Sequence, residues 1–261
     1  MLKTVKYKGA DIVYTIAGQG KTIVLLHGYL ESKEIWGSFA EKLSESFKVI
    51  IPDLPGHGES TLIDGDLTVE QIAESVKSIL DKEKINKCTF VGHSMGGYAA
   101  LGFLDLFPEM LAGLSIFHSS PYADTEEKKQ NRDREINIIR QGKKAQVYTA
   151  HFPNTFAKQN VEKHKNEIET CKKVAQSMPD EAIIAALEAM KARPDRSGLL
   201  YGTKVPIQYI IGEKDNFIPM EILSKLQLPD NSEVVVLENS GHMGFIEEKE
   251  NALEAIRGFA R

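Results

Sequence analysis

Short apolar runs and amphipathic stretches alternate through the first half of the chain. Thr22–Leu26, Lys48–Ile51, Lys87–Val91 and the stretch from about Gly113 to Phe117 are β-branched or aromatic runs of strand length. Between them the spacing changes to that of helices. Lys33 to Phe47 puts Ile35, Trp36, Phe39, Leu43 and Phe47 on one face. Thr68 to Glu83 opens with a capping box, Thr68-x-x-Gln71, and then repeats Val69, Ile72, Val76, Ile79 and Leu80 at helical spacing. A small-residue helix containing Tyr98, Ala99, Ala100, Leu101, Phe103 and Leu104 follows the third run. Alternation of this kind predicts an α/β fold, a mostly parallel central sheet with helices on both faces.

The alternation stops near residue 118. From Ser119 to Thr203 no strand pattern is visible, and three helical stretches replace it: Thr125 to Gln141, Val161 to Ser177 and Asp180 to Arg193. The first two are rich in charge. The third carries Ile183, Ile184, Leu187 and Met190 as a stripe and stops at Pro194. The strand–helix pattern then resumes with Pro206–Ile211, Val234–Leu237 and a last helix from Phe245 to Ala260. The expected organisation is a core made of residues 1–118 and 204–261, with residues 119–203 as a helical insertion.

Composition narrows the class. The chain has 261 residues, 42% hydrophobic and 26% charged, enough for one large core plus an insertion. A net charge of −5 lacks the basic footprint of a nucleic-acid partner. No apolar run approaches the roughly 20 residues of a membrane span, and Met1–Tyr7 carries no apolar signal region, so the expected compartment is the cytoplasm. Cys88 in a strand and Cys171 on a charged helix do not suggest a disulfide framework.

The candidate chemistry sits at the joints of this pattern. Gly92-His93-Ser94-Met95-Gly96-Gly97 fits G-x-S-x-G and falls where a strand turns into a helix. Glycine suits the close backbone approach at positions 92 and 96, and the turn lifts the Ser94 hydroxyl to a helix N-terminus. An ordinary helix N-cap is the plainer role for such a serine. A nucleophilic serine needs a base, and the base an orienting acid. His242, in the loop after Val234–Leu237, is the candidate base; Asp215, in the loop after Pro206–Ile211, is the candidate acid, with Asp124 as the alternative. Leu25-Leu26-His27-Gly28-Tyr29-Leu30 and Asp53-Leu54-Pro55-Gly56-His57-Gly58-Glu59-Ser60 each follow a strand as turn-rich loops. No residue set has metal-ligand spacing, and there is no dinucleotide fingerprint.

With these motifs in this order, the chain resembles the α/β-hydrolase superfamily, in its branch of small cap-bearing serine hydrolases. The resemblance covers residues 20–118 and 204–261 closely and the middle only in kind. It implies Ser94 as nucleophile, His242 as general base and acid, Asp215 as the orienting carboxylate, and the backbone N–H groups of Tyr29 and Met95 as an oxyanion hole. It further implies that the insertion folds over Ser94 as a cap that sets substrate preference without supplying triad residues. His27 and His57 would brace the oxyanion loop and the next turn, and His93 would pack under the elbow. Leu30, His118 and Tyr122 are candidate pocket residues, with Tyr29 and Phe117 as nearby aromatics; for His118 a satisfied buried histidine is the competing role. His151 and His164, in the polar middle, are expected to be exposed.

The function these expectations describe is a cofactor-independent esterase that forms an acyl-enzyme on Ser94 from a small or medium carboxylic ester. Serine at position 94 argues against relatives that use an aspartate nucleophile. A perhydrolase, similar to cofactor-free haloperoxidases, a C–C bond hydrolase, and a hydrolase-like ligand sensor remain as alternatives. The implied partner is a small-molecule acyl substrate, with no nucleic acid, cofactor or metal; the sequence carries no signal for oligomeric state.

Overall fold

The computed structural model describes residues Met1–Arg261. Its eight strands are β1 Leu2–Tyr7, β2 Ala10–Ala17, β3 Thr22–Leu26, β4 Lys48–Pro52, β5 Cys88–His93, β6 Leu111–Phe117, β7 Ile207–Gly212 and β8 Ser232–Leu237. They form one sheet in the order β1-β2-β4-β3-β5-β6-β7-β8. β1 and β2 form an antiparallel hairpin, β2 pairs antiparallel with β4, and every other pair is parallel. The hairpin is absent from the hydrophobic pattern because β1 is an edge strand whose residues alternate between exposed and half-buried. β3, β5 and β7 are buried along their whole length, as strands covered on both faces must be.

Before β6 the helices are α1 Gly37–Ser44, α2 Val69–Lys82 and α3 Met95–Leu106. The predicted helix over 33–47 is shorter than its pattern: Lys33–Trp36 is a 3-10 turn capped by Ser32, and Gly37, at a φ of 27°, breaks it from α1. The Thr68/Gln71 capping box opens α2 in both directions. Between β6 and β7 the chain is entirely helical: α4 Glu126–Arg140, α5 Lys144–Thr155, α6 Lys165–Ser177, α7 Asp180–Ala192 and α8 Ser197–Gly202. α5 escaped the pattern because it holds Pro153 and buries only Val147, Phe152 and Thr155. The last helix is two pieces, α9 Gly244–Glu247 and α10 Lys249–Phe259. No helix is long and apolar enough to cross a membrane.

The core is one continuous cluster. α2 packs on α3, α1 on α10, and α4 on α7. Cys171, placed by sequence on a charged helix, turns its thiol into this core, 3% exposed. β3, β5, β6 and β7 are neighbours at the sheet's centre, so the loops leaving their C-terminal ends converge. That is where open α/β sheets place their sites.

Candidate active site

Ser94 stands at the end of β5 with φ 50° and ψ −114°, a region that non-glycine residues enter only under constraint. The turn is forced by packing. A Cβ on Gly92 would come within 2.6 Å of the Gly96 carbonyl oxygen, and one on Gly96 within 2.4 Å of the Leu26 carbonyl oxygen. The Ser94 N–H donates to the Phe117 carbonyl at 3.1 Å, and its own carbonyl accepts from the Ser119 hydroxyl at 2.7 Å. Ser94 occupies the N-cap position of α3, yet its hydroxyl makes no capping bond.

His242, which lines the same cavity as Ser94, meets Asp215. Nδ1 of His242 donates to Oδ2 of Asp215 at 2.8 Å, which leaves Nε2 as the free ring nitrogen. Asp215 also accepts the amides of Phe217 (2.8 Å) and Ile218 (3.0 Å) on Oδ1, and faces His118 Nδ1 at 3.1 Å. Burial pushes the Asp215 pKa up, but the His242 charge and these bonds outweigh it and hold it well below the usual carboxylate range. His118 is a second support for this acid. Its Nδ1 also lies 3.1 Å from the Gly212 amide and its Nε2 accepts the Gly244 amide at 3.2 Å, so backbone N–H groups fix the ring against Asp215. Burial, partly offset by Asp215, lowers the His118 pKa to about 4.

The loop after β3 is built on His27. Its Nε2 accepts the Leu54 amide at 3.0 Å and its Nδ1 bonds the Gly28 carbonyl at 2.9 Å. The Tyr29 amide is given no acceptor by the protein. Met95 is the first residue of α3, where an amide has no intrahelical acceptor. His57 is buried with Nδ1 on the Pro55 carbonyl; burial first, then His27, lowers its pKa to about 3. His93 lies beneath the elbow, bonded to Glu31 and to the His242 carbonyl.

The His242 loop is held by the end of α5 and the segment after it. The His242 amide donates to the Thr155 carbonyl at 2.6 Å, at the end of α5. Glu247, buried in α9, accepts Gly241 (2.8 Å) and Met243 (3.3 Å) amides on Oε1. Its Oε2 accepts the Ala157 amide and the Asn160 side chain, both at 2.8 Å. Sequence reasoning passed over Glu31 and Glu247; a carboxylate within a few residues of each motif was the only available sign.

A cavity of about 280 Å³ joins these parts. Ser94, His242, Tyr29, Tyr98 and Phe217 line it, together with Lys128, Asn131, Arg132 and Glu135 of α4, His151 and Met190. Three expected pocket residues are elsewhere. Leu30 is 1% exposed, turned into the core at a φ of 62°; His118 is fully buried behind Asp215; Tyr122 points away and donates to the Lys225 carbonyl. Phe117 is likewise wholly buried. His151 is half-buried in the cavity wall, edge-on to Tyr29, and burial lowers its pKa to about 4. His164, also expected outside, is 6% exposed and stacks on Phe156. Asp124 forms ion pairs with Arg132 and Arg193.

One group of metal-type donors comes together, His118, Asp215 and His242, with ligand atoms within 4.8 Å. These atoms already bond one another, and His118 Nε2 is taken by Gly244. A second cavity, about 240 Å³, lies between residues 31–35 and α6 and holds no nucleophile–base pair.

The sequence profile of the alpha/beta hydrolase fold matches residues 21–249. A pimeloyl-[acyl-carrier protein] methyl ester esterase from Aliivibrio fischeri is 26% identical over 254 residues, 95% of this chain and 97% of that one. An uncharacterized protein of Mycobacterium tuberculosis is 37% identical over 103 residues, which is 40% of this chain and only 30% of that protein. Among solved structures, a thermophilic esterase from Thermogutta terrifontis, with malate bound, superimposes with a TM-score of 0.91 at 29% identity, covering 99% of this chain and 96% of that one.

Proposed function

The chain belongs to the α/β hydrolase fold family and has esterase relatives, and on that premise we propose that it is a cofactor-independent serine esterase acting through an acyl-enzyme on Ser94. The observation that carries this reading is the shared cavity. Ser94, uncapped on a strained turn, and His242, oriented by an ionised Asp215, open on the same space. Nε2 of His242 takes the Ser94 proton as the hydroxyl oxygen attacks the ester carbonyl. The oxyanion forms between the amides of Tyr29 and Met95, each such donor being worth about 3–4 kcal/mol of barrier. His242 returns the proton to the leaving alcohol. It then activates a water that attacks the acyl carbon, releases the acid and restores Ser94.

Residues 119–203 act as a cap in this reading. They supply Lys128, Asn131, Arg132, Glu135, His151 and Met190 to the cavity and none of the triad. The cavity's size and its polar α4 wall favour a short or polar acyl group over a long alkyl chain. An organophosphonate should label Ser94 alone, and Ser94→Ala should abolish turnover of 4-nitrophenyl esters with the fold intact. Near-normal activity in Ser94→Ala would remove the serine from the mechanism; one slow turnover with a lasting adduct in wild type would point to ligand sensing.

A further inference from the structure

Glu31 and His93 form a buried acid–imidazole pair that the acyl chemistry itself does not use. Glu31 closes the turn after Tyr29 and is 4% exposed; His93 immediately precedes Ser94 and is fully buried. Oε2 of Glu31 accepts the Gly28 amide at 2.6 Å and faces Nδ1 of His93 at 3.1 Å. Nε2 of His93 lies 2.9 Å from the His242 carbonyl oxygen. A carbonyl only accepts, so Nε2 donates. On the other side of the ring, a carboxylate Oε2 accepts both the Gly28 N–H and a proton-bearing Nδ1, whereas a hydroxyl donating to Nδ1 would be a weaker acceptor for Gly28, so Nδ1 donates as well. Two donating nitrogens make the ring an imidazolium and Glu31 its carboxylate partner.

The surroundings agree. Burial works against charge on His93, but the Glu31 carboxylate overrides it and raises the His93 pKa. Burial likewise opposes the Glu31 carboxylate, and His93 with the Gly28 amide brings its pKa down to about 2. The other titratable groups around the ring are His27, His118, His151, His242 and Asp215. The rings of Trp36, Phe117 and Phe245 stand near-perpendicular to it. The close approach needs Gly28: a Cβ there would lie 2.9 Å from the carboxylate and 3.0 Å from the ring.

Three parts of the site meet on this one pair: the oxyanion loop through Gly28, the elbow through the residue before Ser94, and the base through the His242 backbone. We propose that the Glu31–His93 ion pair is a positioning brace that holds the Tyr29 amide, Ser94 and the His242 ring in mutual register during acyl transfer. This rests on the serine-hydrolase reading above. A buried pair adds little net stability over an apolar pair of the same shape, so its selectable value is geometry. Register matters because oxyanion donors and base act only when aimed at the transition state.

The test has two arms. Ring ¹⁵N NMR of the wild-type protein, with the His93 signals identified by their loss in His93→Gln, should find both His93 nitrogens still protonated above the pH at which a free histidine becomes neutral. A His93 ring that loses its second proton at or below the pH where a free histidine does would overturn the ion pair. In the second arm Glu31→Gln keeps an acceptor for Gly28 but removes the charge. It should lower kcat for 4-nitrophenyl butyrate by at least about tenfold with KM within about twofold, the split expected when transition-state contacts alone are lost. Unchanged kcat in the folded variant, or a loss confined to KM, would overturn the brace. If Glu31→Gln does not fold, Glu31→Asp is read by the same criteria. Wild-type turnover and Ser94 labelling are measured alongside. Their absence would fail the hydrolase reading, while the His93 spectrum still decides the state of the pair.

Discussion

Glu247→Gln should destabilise the protein by about 2–4 kcal/mol and slow turnover, because every group facing the carboxylate is a donor. The Gly241 and Met243 amides point at one oxygen, the Ala157 amide and Asn160 side chain at the other, and the residue is 8% exposed. Glutamine replaces one of those acceptors with a third donor, so whichever way it turns, one pair of bonds is lost. Two hydrogen bonds to a charged group are worth about 3–6 kcal/mol gross; the neutral amide is easier to bury, which offsets part of this. For a chain of this size that corresponds to a fall in Tm of about 5–10 °C. The effect on turnover follows from position, since the bonds tie the loop on either side of His242 to the segment after α5. Urea unfolding followed by Trp36 fluorescence, with kcat and KM from the same preparation, measures both. An unfolding free energy within about 0.5 kcal/mol of wild type together with unchanged kcat would refute the reasoning.

Asp215→Asn should reduce kcat by about ten-thousandfold, the precedent for a triad that loses its orienting carboxylate, and steady-state kinetics of the folded variant decide it; a loss below about tenfold would move the role elsewhere. Replacing residues 119–203 with a short linker removes Thr155, Ala157 and Asn160 from the His242 loop, so phosphonate labelling of Ser94 should slow by about tenfold or more even in a folded core, as read by labelling rate. The cavity of about 280 Å³ should give a higher kcat/KM for acetyl and butyryl than for octanoyl 4-nitrophenyl esters, and a rising series would contradict the short-acyl reading. The His118 pKa is lowered to about 4 in the fold, so between the unfolded histidine value near pH 6.5 and about pH 4 the unfolded chain binds a proton that the folded one refuses. That contribution is intact above about pH 6.5 and is lost as pH falls, at up to about 1.4 kcal/mol per unit, so urea midpoints should decline more steeply from pH 6.5 to 5 in wild type than in His118→Asn.

Local pattern alone determined the strand–helix order of the core, the glycine-framed turn at Ser94, and the loops that carry Asp215 and His242. Each is written in neighbouring residues: β-branched runs, 3.6-residue spacing, a capping box, and glycines where a Cβ would strike backbone. The gaps have the same origin. The β1–β2 hairpin and α5 were illegible because an edge strand and a proline-bearing helix show weak periodicity. What only the tertiary structure decided is which distant side chains share a volume. Leu30, His118 and Tyr122 sit beside the right motifs yet face away from the cavity, because a backbone turn or a buried bond, not chain position, aims the side chain. His151, in a polar stretch with no signal of its own, reaches the cavity because the fold brings α5 to its wall. Glu31 with His93, and Glu247 with Ala157 and Asn160, join residues 62, 90 and 87 positions apart. A buried charge must find its partners in space, and no local periodicity encodes where those partners lie.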